Sequence, residues 1–239
     1  MAIQTQYIEY REGDTVLEGY LAFDDTRRDP GPTVLIAHAW EGRDEFVCAK
    51  ARELAELGYS AFALDVYGKD VLGSTREEKT ALMTPLLEDR ALLRRRLLAG
   101  LEAACSCDAV DSAQVAVIGY CFGGLCALDL ARTGAELRGA ASFHGLLSAP
   151  GDTGGNRIRA KILILHGDKD PLVPVEQVVE CQRELTAAGA DWQLHTFGSA
   201  QHSFTDPKAA DAESGLVYDP DADRRSQRQL LLFLEEIFA

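Results

Sequence analysis

Positive charge is scarce in this chain. Lysine and arginine total 24 against 38 aspartates and glutamates, a formal net charge of −14. Nucleic acid and anionic membrane surfaces are bound by clustered Lys and Arg, so the shortfall argues against both as partners. Long apolar runs are missing too. The longest are strand-sized, well below the roughly 20 residues that a membrane-crossing helix takes. The opening "MAIQTQYIEYREGDT" has neither the basic n-region nor the apolar h-region of a secretory leader, and a cytoplasmic location is expected. No internal repeat, low-complexity tract or linker breaks the 239 residues, so a single domain over 1–239 is expected. Six cysteines in a chain of this length do not make a disulfide framework. "CSC" at 105–107 has no matching His/Cys pair elsewhere, so neither a metal nor a cofactor is expected. No feature demands a partner chain, which leaves a monomer or a weak homo-oligomer.

What is present is a regular alternation. "QYIEY" and "TVLEGYLAF" flank "REGD" and read as an N-terminal β-hairpin. "PTVLIAH" (32–38) is apolar on both faces, as a buried strand is. "DEFVCAKARELAELG" (44–58) has helical spacing and ends on Gly58, a good residue just past a helix. "YSAFALDVYG" reads as a strand, and "TREEKTALM" and "EDRALLRRRLLAGLEAAC" as two helices. Strand "QVAVIG" and helix "FGGLCALDLARTG" come next, then strands "GAASFHG" and "AKILILHG". Helix "VEQVVECQRELTAAG", strand "WQLHTF" and a last helix over 222–238 complete the chain. Strands alternating with helices call for an α/β fold, a mostly parallel central sheet flanked by helices. In such sheets the chemistry lies beyond the carboxyl ends of the strands.

"GYCFGG" (119–124) sits at one of those ends. G-Y-C-F-G has the spacing of the G-x-S-x-G nucleophile elbow, with Cys121 where serine usually stands. The nucleophile of an elbow rides a sharp strand-to-helix turn, and side chains at Gly119 and Gly123 would collide with neighbouring elements. Gly124 lets the helix pack close to the sheet. A helix N-terminus beside Cys121 favours thiolate over thiol. The competing reading, a small buried cysteine before a helix, is weakened by this strand–turn–helix context.

A nucleophile needs a base, and the base an orienter. On this scaffold they follow in chain order, acid and then histidine. "LHGDKDPLVP" puts Asp168 and Asp170 after one strand, and "QHSF" puts His202 after the next. Asp170 is the choice for orienter because Pro171 and Pro174 rigidify the turn after it, and Asp168 is the runner-up. The oxyanion donors expected are the N–H groups of Phe122 and Trp40. Glu41, Tyr67, His144 and Ser203 are further candidates for the substrate pocket, although His144 and His38 suit structural hydrogen bonding equally well. "RRR" at 94–96 reads as a solvated helix face and "DPKAADAESG" (206–215) as an exposed acidic loop. Cys48, Cys126 and Cys181 read as core.

These motifs together resemble the dienelactone hydrolase family of the α/β-hydrolases. The resemblance runs from about residue 15 to the end. It rests on "HAWEG", "DVYGK", "GYCFGGLCAL", "SFHG", "LHGDKDPLVP", "QHSF" and "YDPDADRRS". It implies an α/β-hydrolase fold and a cofactor-free hydrolase of activated esters or lactones, carboxymethylenebutenolidase-type. Cys121 is then nucleophile, His202 base, Asp170 orienter, and Trp40 and Phe122 oxyanion donors. The chain departs from the family at two places. A glutamate that primes the thiol is replaced by Ala39, with Glu41 close by. An arginine that holds the substrate carboxylate is replaced by Asp206, and Lys69 does not restore a bidentate clamp. The missing glutamate keeps open a non-catalytic homologue that binds a small ligand, and a third reading is a redox-active thiol protein using Cys121 and Cys126.

Overall fold

A computed structural model describes residues 2–152 and 157–239. They form two compact units, 1–117 and 118–239.

The first unit starts with the expected hairpin. β1 (Ile3–Glu12) and β2 (Thr15–Asp24) pair antiparallel from Ile3↔Asp24 to Glu12↔Thr15, so Gly13 and Asp14 make the turn. β3 (Gly31–Ala37) pairs parallel with β4 (Ser60–Leu64), and β2 pairs antiparallel with β4, giving the order β1-β2-β4-β3. Val34, Leu35, Ile36 and Phe62 have no exposed surface. A strand covered on both faces carries such an unbroken apolar run, and each large side chain so buried contributes about 1.5–3 kcal/mol.

Three helices belong to this unit. α1 (Glu45–Glu56) begins where Asp44 accepts from the N–H groups of Phe46 and Val47, and the chain leaves it through Gly58 at φ 94°. Its buried face, Val47, Cys48, Ala51, Leu54 and Ala55, packs on β2, β3 and β4. α2 (Arg76–Glu88) opens on a reciprocal cap between Thr75 and Glu78. It runs past Pro85, five residues beyond the expected end at Met83, and α3 (Arg90–Cys105) follows after Asp89 alone. Asp89 closes one helix and caps the next, its carboxylate accepting from Leu92 N–H at 2.8 Å. Among the described residues no helix is long and apolar enough to cross a membrane.

β5 (Val110–Tyr120) carries the chain into the second unit. α4 (Phe122–Arg132) follows after one residue, then β6 (Gly139–Phe143), β7 (Lys161–Gly167), α5 (Val175–Ala187) and β8 (Trp192–Phe197). β6, β7 and β8 pair parallel in that order. Every residue of α4 is buried, its charged ones included. Arg132 meets Asp129 at 3.1 Å and Glu184 of α5 at 2.6 Å, and donates to the Leu147 carbonyl at 3.3 Å. Buried charges persist only when paired in this way, and removing one partner of such a pair costs about 3–5 kcal/mol. The helix that follows the elbow is thus fixed to α5 and to the loop after β6.

The segment read as an acidic loop holds a short antiparallel pair, β9 (Ala210–Asp211) with β10 (Leu216–Val217). Two-residue strands leave no periodicity to read. α6 (Pro220–Phe238) starts two residues before the expected 222, where Asp219 accepts from Asp221 and Ala222 N–H and Pro220 occupies the first turn. It packs on β6 and β7.

Candidate active site

Cys121 is the single residue between β5 and α4, with φ 55° and ψ −118°. A side chain in that region is strained, and neighbouring structure must enforce it. The glycines show how. A Cβ on Gly119 would lie 1.9 Å from the Gly123 carbonyl oxygen, and one on Gly124 would lie 2.5 Å from Ser142 Oγ and 2.7 Å from Gly145 Cα. Hydrogen bonds complete the turn: the Cys121 carbonyl accepts from Gly124 N–H at 2.9 Å. Its N–H is shared between the Phe143 carbonyl at 3.0 Å and His144 Nδ1 at 3.2 Å. Cys121 is partly exposed, whereas Cys126, further along α4, is fully buried.

Of the two aspartates after β7, Asp170 is the one beside His202. Its Oδ2 lies 2.7 Å from His202 Nδ1, and both side chains are fully buried. Oδ1 accepts from Leu172 N–H at 2.9 Å, within the proline-bounded turn. Asp168 is exposed. The His202 loop is tied down from a direction the sequence did not indicate. Val217 N–H donates to the His202 carbonyl at 3.0 Å, and His202 bridges to Leu216 of β10. The acidic segment therefore returns to hold the histidine.

His202 Nε2 is buried and has no hydrogen-bond partner of regular geometry. The Cys121 sulfur nonetheless acts on the ring, chiefly as charge on charge. Burial opposes the imidazolium, but the negative charge at Cys121 and the Asp170 carboxylate outweigh it, and the pKa of His202 is pushed up to about 10. His144 moves the other way. Burial, and then the charge on His202, hold it well below the ordinary histidine value. Its ring lies 5.2 Å from that of His202, edge to face.

The remaining candidates fall as follows. Phe122 opens α4 and is fully buried. His144 is 2 % exposed, with both ring nitrogens in hydrogen-bond contact, Nε2 at 2.8 Å from Thr205 Oγ1. Ser203 has φ 59° and its carbonyl accepts from Asp206 N–H. Trp40, Glu41 and Tyr67 gather in the first unit. The Tyr67 hydroxyl donates to the Trp40 carbonyl at 3.2 Å, and Lys79 Nζ lies 2.8 Å from Glu41 and 5.3 Å from the centre of the Trp40 ring. Glu41 is thus engaged by a lysine of α2. His38 is structural, donating through Nδ1 to the Ala39 carbonyl at 2.6 Å and accepting Val66 N–H through Nε2 at 3.2 Å. Thr205 was missed altogether. Its only sequence signal is its place three residues after His202.

An elbow after a strand, with an acid and a histidine on the loops after two later parallel strands, belongs to the α/β-hydrolase fold. A solved structure from metagenomic libraries, described as a dienelactone hydrolase-like promiscuous phosphotriesterase, superposes with TM-score 0.94 at 35% identity over 100% of both chains. The dienelactone hydrolase of Anabaena variabilis shares the fold at TM-score 0.71 and 18% identity, again over 100% of both. An Aquifex aeolicus protein named "Putative carboxymethylenebutenolidase" is 29% identical over 223 residues, 90% of this chain and 91% of its own. The sequence model of the dienelactone hydrolase family matches residues 17–238. The chain belongs to the dienelactone hydrolase family, and it is a hydrolase of that type.

Proposed function

We propose that this protein hydrolyses activated esters or lactones of small molecules with Cys121 as nucleophile, His202 as base and acid, and Asp170 as orienter, with no cofactor in any step. The observation that carries the reading is the fully buried 2.7 Å contact of Asp170 Oδ2 with His202 Nδ1, a ring whose pKa Cys121 and Asp170 push up.

The thiolate of Cys121 attacks the acyl carbon, and the carbonyl π pair moves onto oxygen. The Phe122 amide at the start of α4 donates to that oxyanion. Donors of this kind are each worth about 10²–10³ in rate. As the intermediate collapses, the carbon–oxygen bond of the ester breaks, and the leaving oxygen takes the proton from His202 Nε2. A thioester and a neutral imidazole remain. Water gives a proton to Nε2, its oxygen attacks the thioester, and the second collapse releases the carboxylic acid and restores the thiolate–imidazolium pair. Asp170 holds Nδ1–H throughout, so that Nε2 is always the nitrogen that exchanges the proton. Thiolate is a good leaving group as well as a good nucleophile. The first intermediate therefore collapses productively only when the substrate's own leaving group is good, as an enolate or phenolate is.

Asp206 stands where the family's carboxylate-holding arginine is expected, so neutral substrates are favoured over carboxylated lactones. We take the chain as a single functional domain over 1–239, and the family match over residues 17–238 is in keeping with that. The test is hydrolysis of an activated aryl ester, a neutral enol lactone and a carboxylated dienelactone by wild type and Cys121→Ala. An aryl phosphotriester belongs in the same assay, given the description of the 35%-identical structure. Wild type is expected to cleave the neutral substrates fastest, and Cys121→Ala to lose at least about 10³-fold in kcat/KM. Equal rates for the two proteins would remove the reading.

A further inference from the structure

His144 touches the support of every member of the constellation. Nδ1 accepts from the N–H of Cys121 itself at 3.2 Å. Nε2 lies 2.8 Å from Oγ1 of Thr205, which is buried on the His202 loop. The backbone N–H of His144 donates at 2.8 Å to Leu165, on the strand that leads to Asp170. The ring packs edge to face on His202 at 5.2 Å and on Phe204 at 4.9 Å. The residue holds φ 39°, a second strained position beside that of Cys121.

The hydrogen bonds fix its protons. A nitrogen that accepts an amide N–H carries no hydrogen, so Nδ1 is bare. The one proton of a neutral imidazole is then on Nε2 and donates to Thr205. A cationic ring would have N–H at both positions and would set its own Nδ1–H against the N–H of Cys121. The titratable groups that face the ring are Cys121 on the elbow, His202 on its loop and the Tyr120 ring from β5, centred 6.2 Å away. Of these, the charge on His202 opposes a second positive charge on the His144 ring.

We propose that His144 is a positioning residue, a neutral Nε2–H imidazole that ties the Cys121 amide to the His202 loop through Thr205 and so holds the sulfur against the His202 ring. The proposal rests on the Cys121–His202–Asp170 reading and adds a fourth side chain that never touches substrate. Burial and the neighbouring cation keep the ring in the required neutral form.

Three variants separate its parts. His144→Phe keeps a ring and removes both hydrogen bonds. His144→Asn keeps an acceptor near the Nδ1 position, loses the reach to Thr205, and suits a positive φ. Thr205→Val removes only the far partner. Each is measured for the pH dependence of Cys121 alkylation by iodoacetamide, for kcat and KM on the activated aryl ester, and for thermal unfolding. In His144→Phe the alkylation midpoint is expected to be displaced from that of wild type by about one unit or more. Its kcat is expected to fall about 10–100-fold with KM within about threefold, the size of effect that an ångström of misplacement produces. His144→Asn should recover most of both. A folded His144→Phe with the wild-type midpoint and kcat overturns the proposal. If that variant does not fold, His144→Asn and Thr205→Val decide: a displaced midpoint in Thr205→Val supports the tether, and wild-type midpoints in both overturn it. A Cys121→Ala protein as active as wild type would instead overturn the underlying triad reading, whatever the His144 variants do.

Discussion

Asp170 uses its two oxygens for different ends. Oδ1 closes its own turn on Leu172 N–H, and Oδ2 fixes the His202 ring. Asp170→Asn keeps the shape and the turn but replaces the second acceptor by an amide that presents either a weaker acceptor or a hydrogen. The imidazole then loses both its fixed tautomer and part of the field that raises its pKa. A fall in kcat of about 10²–10⁴ with little change in KM is expected from steady-state kinetics on the aryl ester, and unchanged kcat would contradict the orienting role. At this scale the sequence was legible where placement follows from strand ends. Cys121, Asp170 and His202 all stand just past strand ends, and Pro171 and Pro174 singled out Asp170 over Asp168. The bond from His144 to the Cys121 amide was not legible, because it joins residues 23 apart in sequence through a side chain that no periodicity marks. Nor was the engagement of Glu41 by Lys79, which depends on where α2 folds back.

The elbow is an element built on exclusion. Gly119 has no room for even a methyl group, since its Cβ would sit 1.9 Å from a backbone oxygen that cannot rotate away. Gly119→Ala must push β5 and α4 apart, and α4 is held by the buried Arg132, Asp129 and Glu184 charges. A loss of about 2–4 kcal/mol in urea unfolding is expected, together with ordinary thiol reactivity at Cys121 in whatever folds. Wild-type stability would contradict the steric account. The strand–helix alternation was legible because buried parallel strands such as β3 and β4 are unbroken apolar runs, and because Gly58 marks a helix end. What escaped was set by caps and short pieces. Proline argues against helix, yet α2 passes through Pro85, with Asp89 closing it and opening α3. β9 and β10 are two residues each, and their role is to return the chain onto the His202 carbonyl.

Across the whole molecule acidic residues outnumber basic ones, for a net charge of −14. A buried imidazolium is costly without partners, and the groups that raise the pKa of His202 against that cost are Cys121 and the Asp170 carboxylate. The central claim is that Cys121 and Asp170 together raise the pKa of His202. The most direct test is a histidine NMR titration of the intact protein beside Cys121→Ala. The account predicts that His202 keeps both ring protons through neutral pH and releases one near pH 10 in wild type, and that this value falls when the sulfur is removed. A His202 that titrates at or below the ordinary value of about 6.5 in wild type, or one unmoved by Cys121→Ala, would contradict it.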